Sequence, residues 1–550
     1  MTKPRIGNRA LALAIVAQAT ICFIALGSVP RAHAQAASPS ASAGTPNSGL
    51  PNLGDGTDMT PSAERKLGDR IARELYRDPD YVDDAVLMEY VQGIWQPLLV
   101  AARQRGELQP ELDTAYAWEI LLGRDRTVNA FALPGAYFGL HLGLVGIVTS
   151  RDELASVLAH ELSHVTQRHI SRMMTRQAQQ APWLMGMMIL GVLAAGKNPN
   201  VASGVLAGTQ AAGAQSQLNF SRDMEREADR VGLTVSTQAG FAPQGFVSMF
   251  AKLQQSSRLN DAGNFPYLRS HPLSTERMAD MQSRIELPDA GTMPNPSVRQ
   301  NVQEADQSMM AARARVLSNS AVDALRTWSV EAAPALLTKS SPAQQAGTLY
   351  GATLAAIKLR DYKEAQAVWT RLTDNVRQDA PASRLARLLG VELKLAQADG
   401  AGALRILQSD ERAMTKPSRA EMFFAAQAQL QLSTVSQQGV SVGTPAAIGG
   451  SLAATTQALQ TWVADHPNDA QAWQLLSSTY AAEGRTLSSI RAQAEVNVAQ
   501  LDYPAALSRF KTAQEWARKG GAGTDHFEAS IVDTRTRQVE SLVREQALER

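Results

Sequence analysis

The chain has 550 residues, 44% of them hydrophobic and 19% charged, with a formal net charge of +1. That length allows several cores, and the near-zero charge gives no electrostatic reason to bind nucleic acid or an anionic membrane. A single cysteine, Cys22, lies near the N-terminus, so disulfides, Cys-based metal sites and thiol nucleophiles are excluded from the rest of the chain.

Residues 1–34 read as a signal peptide. Lys3, Arg5 and Arg9 precede an apolar run from Ala10 to Leu26, Pro30 breaks it, and Ala32-His33-Ala34 supplies a small-x-small cleavage site. The expected location is the periplasm, with a mature start near Gln35. Residues 35–60, rich in Ala, Ser, Pro and Gly, form a flexible leader with too little apolar surface to fold.

From Ser62 the pattern turns helical. Leu67, Ile71 and Leu75 recur every four residues, and Leu87, Tyr90, Val91 and Ile94 make a second stripe. A β-like region follows: one strand is expected over Ala115–Leu122, then a strand-turn-strand over Asn129–His141 around Pro134-Gly135.

The next helix begins near Arg151, with Ser150 or Asp152 as its cap, and contains Leu158-Ala159-His160-Glu161-Leu162-Ser163-His164. Four residues of helix turn through about 400°, so His160 and His164 project from one face and suit a single zinc ion. Glu161 lies beside them as general base toward water. A catalytic zinc needs a third protein ligand. His169 fails the metzincin pattern, which wants Gly where Gln167 stands and His where Ile170 stands, and reads as a surface histidine. Glu225 and Asp229 are one helical turn apart; one carboxylate can bind metal while the other orients a histidine ring. Glu227 points elsewhere on such a helix.

Residues 183–195 are strongly apolar yet too short to span a bilayer, and read as a buried core or lid helix or as a surface for lipid or a hydrophobic client. Residues 199–217 suit a mobile loop. Beyond about residue 305 strand patterns vanish. Pro467 to Trp473 with Leu476, Tyr480 and Gly484, and the pairs Ala365/Trp369 and Ala506/Phe510, fit degenerate tetratricopeptide helices. Gly439 to Ser451 reads as an insertion. The expected fold is mostly α (α+β): a gluzincin-like zinc metallopeptidase domain with a small β-sheet over 61–295, then an all-α tetratricopeptide-like repeat domain over 305–550.

Three motifs in order, Asn129 to Gly135, His160 to His164, and Glu225-x-x-x-Asp229, resemble the Ste24/HtpX-type zinc metallopeptidases, in an exported form with C-terminal tetratricopeptide repeats. The resemblance implies one Zn2+ per chain on His160, His164 and Glu225, with Glu161 as base and Asp229 as partner of a ligating histidine. It makes the segment after Pro134 an edge strand for extended substrate, with Ala136 where relatives often carry glycine. Ser270-His271-Pro272-Leu273 resembles a loop whose histidine takes the open zinc position. For His271 three roles stand: regulatory fourth ligand, transition-state electrophile, or structural loop histidine.

The function so implied is a periplasmic zinc endopeptidase in quality control and assembly of outer-membrane β-barrel proteins, with a chaperone role beside it. Its partners would be unfolded or misassembled outer-membrane proteins and the β-barrel assembly machinery, with peripheral contact at the outer membrane. A chaperone or assembly scaffold whose client binding outweighs proteolysis is the alternative. An integral-membrane prenyl-protein type peptidase would need several spanning helices, and only the signal segment is apolar enough.

Overall fold

The computed structural model describes residues 59–176, 222–259, 265–286, 304–410, 416–437, 451–520 and 525–548. The expected signal peptide, apolar segment 183–195 and loop 199–217 lie outside these residues, as do nearly all of the leader at 35–60 and of the insertion at 439–451. Among the described residues no helix is long and apolar enough to cross a membrane.

The first helix, α1 (Pro61–Arg77), starts where Thr60 accepts the Ala63 N–H and Pro61 supplies a preset φ. Strand β1 (Tyr81–Val82) leads to Asp84, which caps α2 (Ala85–Gln104) by accepting the Leu87 N–H at 2.8 Å. The apolar stripe of α2 is buried, with Leu87, Val91, Ile94, Trp95 and Leu98 fully covered.

The strand expected over 115–122 is only half present. Pro110 starts a short helix, α3 (Pro110–Ala115), Trp118 takes φ 53°, and β2 (Glu119–Gly123) begins after that break. A left-handed residue interrupts the pleat, so the apolar run before it cannot join the ladder. Strands β3 (Ala130–Leu133) and β4 (Tyr137–His141) flank the expected Pro134-Gly135 turn. Gly135 has φ 70°, and a Cβ there would stand 2.8 Å from the Arg65 backbone, so both conformation and space require glycine.

The sheet order is β1-β2-β4-β3, with β2 parallel to β4 and the other pairs antiparallel. The expectation that the segment after Pro134 is an edge strand is therefore corrected. It forms β4, paired on both sides, and the edge is β3, before the proline. The turn folds β3 back along β4, and the parallel pairing of Glu119–Gly123 with Tyr137–His141 then closes β4's other side.

Helix α4 (Leu142–Ile147) leads to α5 (Arg151–Thr166), where Ser150 caps by accepting the Glu153 N–H. The rival cap, Asp152, instead accepts the Ala242 N–H at 2.9 Å and ties down a distant loop. Helices α6 (His169–Arg176), α7 (Arg222–Gln238), α8 (Gln244–Leu259), α9 (Pro266–Ser270) and α10 (Thr275–Glu286) complete the region around α5.

From Ala305 onward the described elements are all helices, most packed on a chain neighbour, as in Pro342–Lys358 with Tyr362–Asn375 and Ala470–Ala482 with Thr486–Ala499. One turn recurs: Arg360, Ala398 and Leu501 are left-handed, and the following Asp361, Asp399 and Asp502 each cap the next helix. Of the two small-x-x-x-aromatic pairs, Ala506 and Phe510 are fully buried, whereas Ala365 is buried and its partner Trp369 only half-buried. This helical region is docked onto α2 and α4. Buried Arg313 reaches Asp84 at 2.7 Å and Glu392 at 2.8 Å, and Arg419 reaches Asp83 at 3.1 Å. One apolar core runs from α2 through α5 into the helical region.

Candidate metal centre

Helix α5 is buried on every side, an unusual place for polar groups, and it carries His160, Glu161 and His164 at 2%, 1% and 0% exposure. Their burial demands partners. The i, i+4 spacing brings His160 Nε2 to 3.0 Å from His164 Nε2. Helix α7 crosses close because Gly232 faces α5: a Cβ there would lie 3.1 Å from the Ala159 backbone. That approach sets Glu225 Oε2 3.5 Å from His160 Nε2 and Glu225 Oε1 3.6 Å from His164 Nε2. One turn on, Asp229 Oδ1 stands 2.9 Å from His160 Nδ1.

His271 follows α9, its backbone N–H donating to Tyr267 O. Its Nδ1 lies 3.1 Å from Glu225 Oε1 and 3.4 Å from His160 Nε2, while Nε2 is 3.4 Å from Glu161 Oε1. His160, His164, Glu225 and His271 each offer one donor atom, all within 4.8 Å of one another.

These four fit a tetrahedral cation. Nitrogen and oxygen donors about 2.0–2.1 Å from one zinc ion would lie about 3.3 Å apart along each edge. Five donor separations, counting both Glu225 oxygens, span 3.0–3.6 Å, and one donor atom from each residue lies within 4.8 Å of the others. Soft thiolates are absent, and two imidazoles with a carboxylate suit a borderline ion such as Zn2+.

Electrostatics carry the same message. Burial works against a charge on His160, but the hydrogen-bonded carboxylates of Asp229 and Glu225 overcome it and raise its pKa to about 9. Burial and the neighbouring His160 hold His164 well below its ordinary value. Burial would raise Glu225, yet His271, His160 and His164 pull it well below the usual carboxylate range. Burial pushes Glu161 up, partly offset by His271 and His160. Apart from His271 and the Ala132 backbone, neither Glu161 oxygen has a well-directed partner, so a proton acceptor faces the donor cluster.

Sequence reasoning did not find Arg277. From α10, 5% exposed, it holds Asp229 through Nε (2.6 Å) and Nη2 (2.7 Å), Glu225 Oε2 through Nη1 (2.8 Å) and the Pro272 carbonyl at 2.9 Å. A lone arginine on an amphipathic helix carries no sequence signal; only its position six residues past His271 hints at a shared loop. His169 corrects the surface expectation. It is fully buried, with Nδ1 2.9 Å from His164 Nδ1, because α5 ends at Thr166 and the chain turns α6 inward. Glu227 does face away from Glu225, and it meets His169 Nε2 at 3.1 Å. Arg222 is exposed.

Residues 101–285 match the model of peptidase family M48. Over that segment, which holds every residue of the donor group, the chain is similar to the M48 peptidases. It is similar to the β-barrel assembly-enhancing protease of Escherichia coli, 26% identical over 498 residues that cover 89% of this chain and 92% of that one. A β-barrel assembly-enhancing protease assigned in Vibrio cholerae is 30% identical over 329 residues, 59% of this chain and 63% of that one. Similarity to the mitochondrial metalloendopeptidase OMA1 of Saccharomyces cerevisiae is confined to 35% of the chain and 54% of that protein, at 29% identity. The first two relatives extend the likeness past the M48 segment; the third matches over 197 residues only.

Proposed function

We propose that the chain is a zinc-dependent endopeptidase of the periplasm, acting in the quality control and assembly of outer-membrane β-barrel proteins. One observation carries the reading: two helical histidines, a carboxylate from a later helix and the buried Glu161 converge in a site beside a sheet edge.

His160 Nε2, His164 Nε2 and a Glu225 oxygen would hold the ion. Zn2+ held there supplies Lewis acidity, activating water and polarising a carbonyl. Glu161 takes the proton from the attacking water and returns it to the leaving amide nitrogen, a task that suits a carboxylate raised by burial. Asp229 fixes the ring of His160, and Arg277 fixes Asp229 and Glu225 in turn. Strand β3 ends the sheet, and its outward N–H and C=O groups can pair with extended substrate independently of sequence. Such pairing suits clients that expose strands before closing into barrels.

His271 is read as a latch. Its Nδ1 completes the donor group and its Nε2 faces the base, so substrate entry requires the His271 loop to leave. The helical region from Ala305, read as tetratricopeptide-like, would supply client recognition and contacts with the barrel assembly machinery. The names of the relatives and the signal-like residues 1–34 support the periplasmic setting.

The buried, latched site also favours a second reading, an assembly scaffold that seldom cleaves. Glu161→Gln separates them: a protease loses degradation of an unfolded outer-membrane protein, whereas a scaffold still promotes its assembly. Metal analysis of wild type beside His160→Ala and Glu225→Gln checks the centre; a wild type without stoichiometric zinc ends the proposal. Under the latch reading His271→Ala raises basal proteolysis, and unchanged activity at unchanged metal content removes the latch.

A further inference from the structure

Histidine ligands are commonly fixed through the ring nitrogen that does not face the ion. Asp229 does this for His160. His164 sits one turn farther along α5; on α7, Glu225 meets its Nε2 at 3.6 Å, whereas Glu227 meets the neighbouring His169.

We propose that His169 and Glu227 are positioning residues for His164, acting as a relay that fixes its tautomer and ring orientation; this rests on the reading of His164 as a metal ligand. His164 Nε2 lies among the donor atoms, 3.0 Å from His160 Nε2 and 3.6 Å from Glu225 Oε1. To hold an ion there it must present a lone pair, so its proton resides on Nδ1. The atom 2.9 Å from that Nδ1 is His169 Nδ1, which must then accept. His169 is consequently protonated on Nε2, and Nε2 donates to Glu227 Oε2 at 3.1 Å. Arg172 Nη1, 2.8 Å from the same oxygen, balances the carboxylate.

Every donor in this direction meets an acceptor. The reverse direction would put a proton on the His164 nitrogen that faces the cluster. His169 is not itself a ligand, because it touches His164 on the side opposite the donor atoms. The imidazole serves as a spacer, carrying Glu227's influence across a gap its side chain cannot cross. Glu227 and Arg172 are 27% and 39% exposed, so the relay opens to solvent at its outer end only.

The two rings are thus held unequally. His160 meets a buried carboxylate braced by Arg277; His164 meets a neutral ring braced by a half-exposed ion pair.

The test uses the full chain, stripped with chelator and titrated with Zn2+ alone against a chromophoric competitor, together with the thermal midpoint of the metal-free protein. His169→Ala is expected to weaken Zn2+ binding by about 10–100-fold, beyond the drop in metal-free midpoint that emptying a buried site brings to any variant there. His169→Asn, whose Oδ1 can accept the His164 Nδ1 proton, should recover to within about threefold of wild type. Glu227→Gln, which keeps the accepting oxygen and loses the charge, should fall between them.

Zn2+ affinity of His169→Ala within about twofold of wild type overturns the relay. So does equal weakening in the Ala and Asn variants, which would make His169 a packing residue. If His169→Ala does not fold, Glu227→Gln decides: wild-type affinity there overturns the proposal. A wild type that binds no Zn2+ overturns the metal reading as well, whereas loss of the relay with intact wild-type binding overturns this inference only.

Discussion

The metal centre and the C-terminal helices fill their interiors with the same materials in different proportions. At the metal centre buried charged and polar side chains sit within the apolar packing of α5, several fixed by a named partner: Asp229 on His160, Arg277 on Asp229 and Glu225, His169 on His164. In the last helices the packing centres on the apolar cluster Leu487, Ala494, Ala506, Phe510, Ala513, Val532 and Val539, with buried Glu495 and Glu528 beside it, paired to Arg535 and Arg491. A charged network is worth little as adhesive, because desolvation offsets attraction, but it holds atoms at fixed separations. An apolar cluster stabilises and leaves position loosely specified. Precision is spent where chemistry is proposed.

The largest expected effect tests the centre. Glu161→Gln should lower kcat by about 10²–10⁴-fold, leave zinc content at one per chain and leave the fold intact. Steady-state cleavage of an unfolded client beside metal analysis checks it. Lost metal together with lost activity would mean that Glu161 serves the site's architecture.

The matching change in the helical region is Phe510→Ala. Emptying a fully buried aromatic site should cost about 3–5 kcal/mol. Because repeat-like helices rely mainly on their neighbours, the loss should concentrate in residues 486–548. Hydrogen exchange would show early opening there while Zn2+ affinity stays at the wild-type value. A fall in zinc affinity would contradict the division drawn above.

Removing the metal should expose a pH dependence in the centre alone. The pKa of His160 is raised to about 9 from an ordinary 6.5. A raised folded-state pKa contributes stability that is fully present below 6.5 and lost as pH climbs through about 9, up to about 3 kcal/mol here. On the acid side the lowered His164 works oppositely, since the unfolded chain takes up a proton that the folded one resists. Metal-free protein should therefore be most stable near neutrality and weaken toward pH 9. Zinc-loaded protein should lack the alkaline loss, because binding has already displaced the His160 proton. Denaturant midpoints from pH 6 to 10, with and without zinc, read this directly; parallel curves would refute it.

The same contrast explains what the sequence revealed. His160, His164, Glu225 and Asp229 were legible because helical spacing is a local rule, and each pair lies on one helix. The strands β3 and β4 and the Pro134-Gly135 turn were legible for the same reason. Which strand forms the edge was not: it depends on β2 pairing with β4 across the intervening turn, and no local pattern encodes that. Arg277 and His169 were missed because their roles exist only after helices distant in sequence converge. The recurring left-handed residue before an aspartate cap at Arg360, Ala398 and Leu501 escaped notice too, as three different residue types fill one conformation.

The smallest expected effect lies in the turn between β3 and β4. Ala136 adopts φ 59°, a conformation that costs a residue with a Cβ about 1–2 kcal/mol. Ala136→Gly removes that strain but adds about 0.5–1 kcal/mol of unfolded-state entropy. The net gain should be about 0.5 kcal/mol, visible as a small rise in denaturant midpoint with unchanged zinc affinity. The gain should not extend to Gly135, where alanine would collide with the Arg65 backbone and pry α1 from the turn. A destabilised Ala136→Gly would mean that its methyl group, fully buried, contributes more packing than its backbone costs. That outcome would place the turn with the apolar cores, where contact governs, and apart from the metal centre, where geometry does.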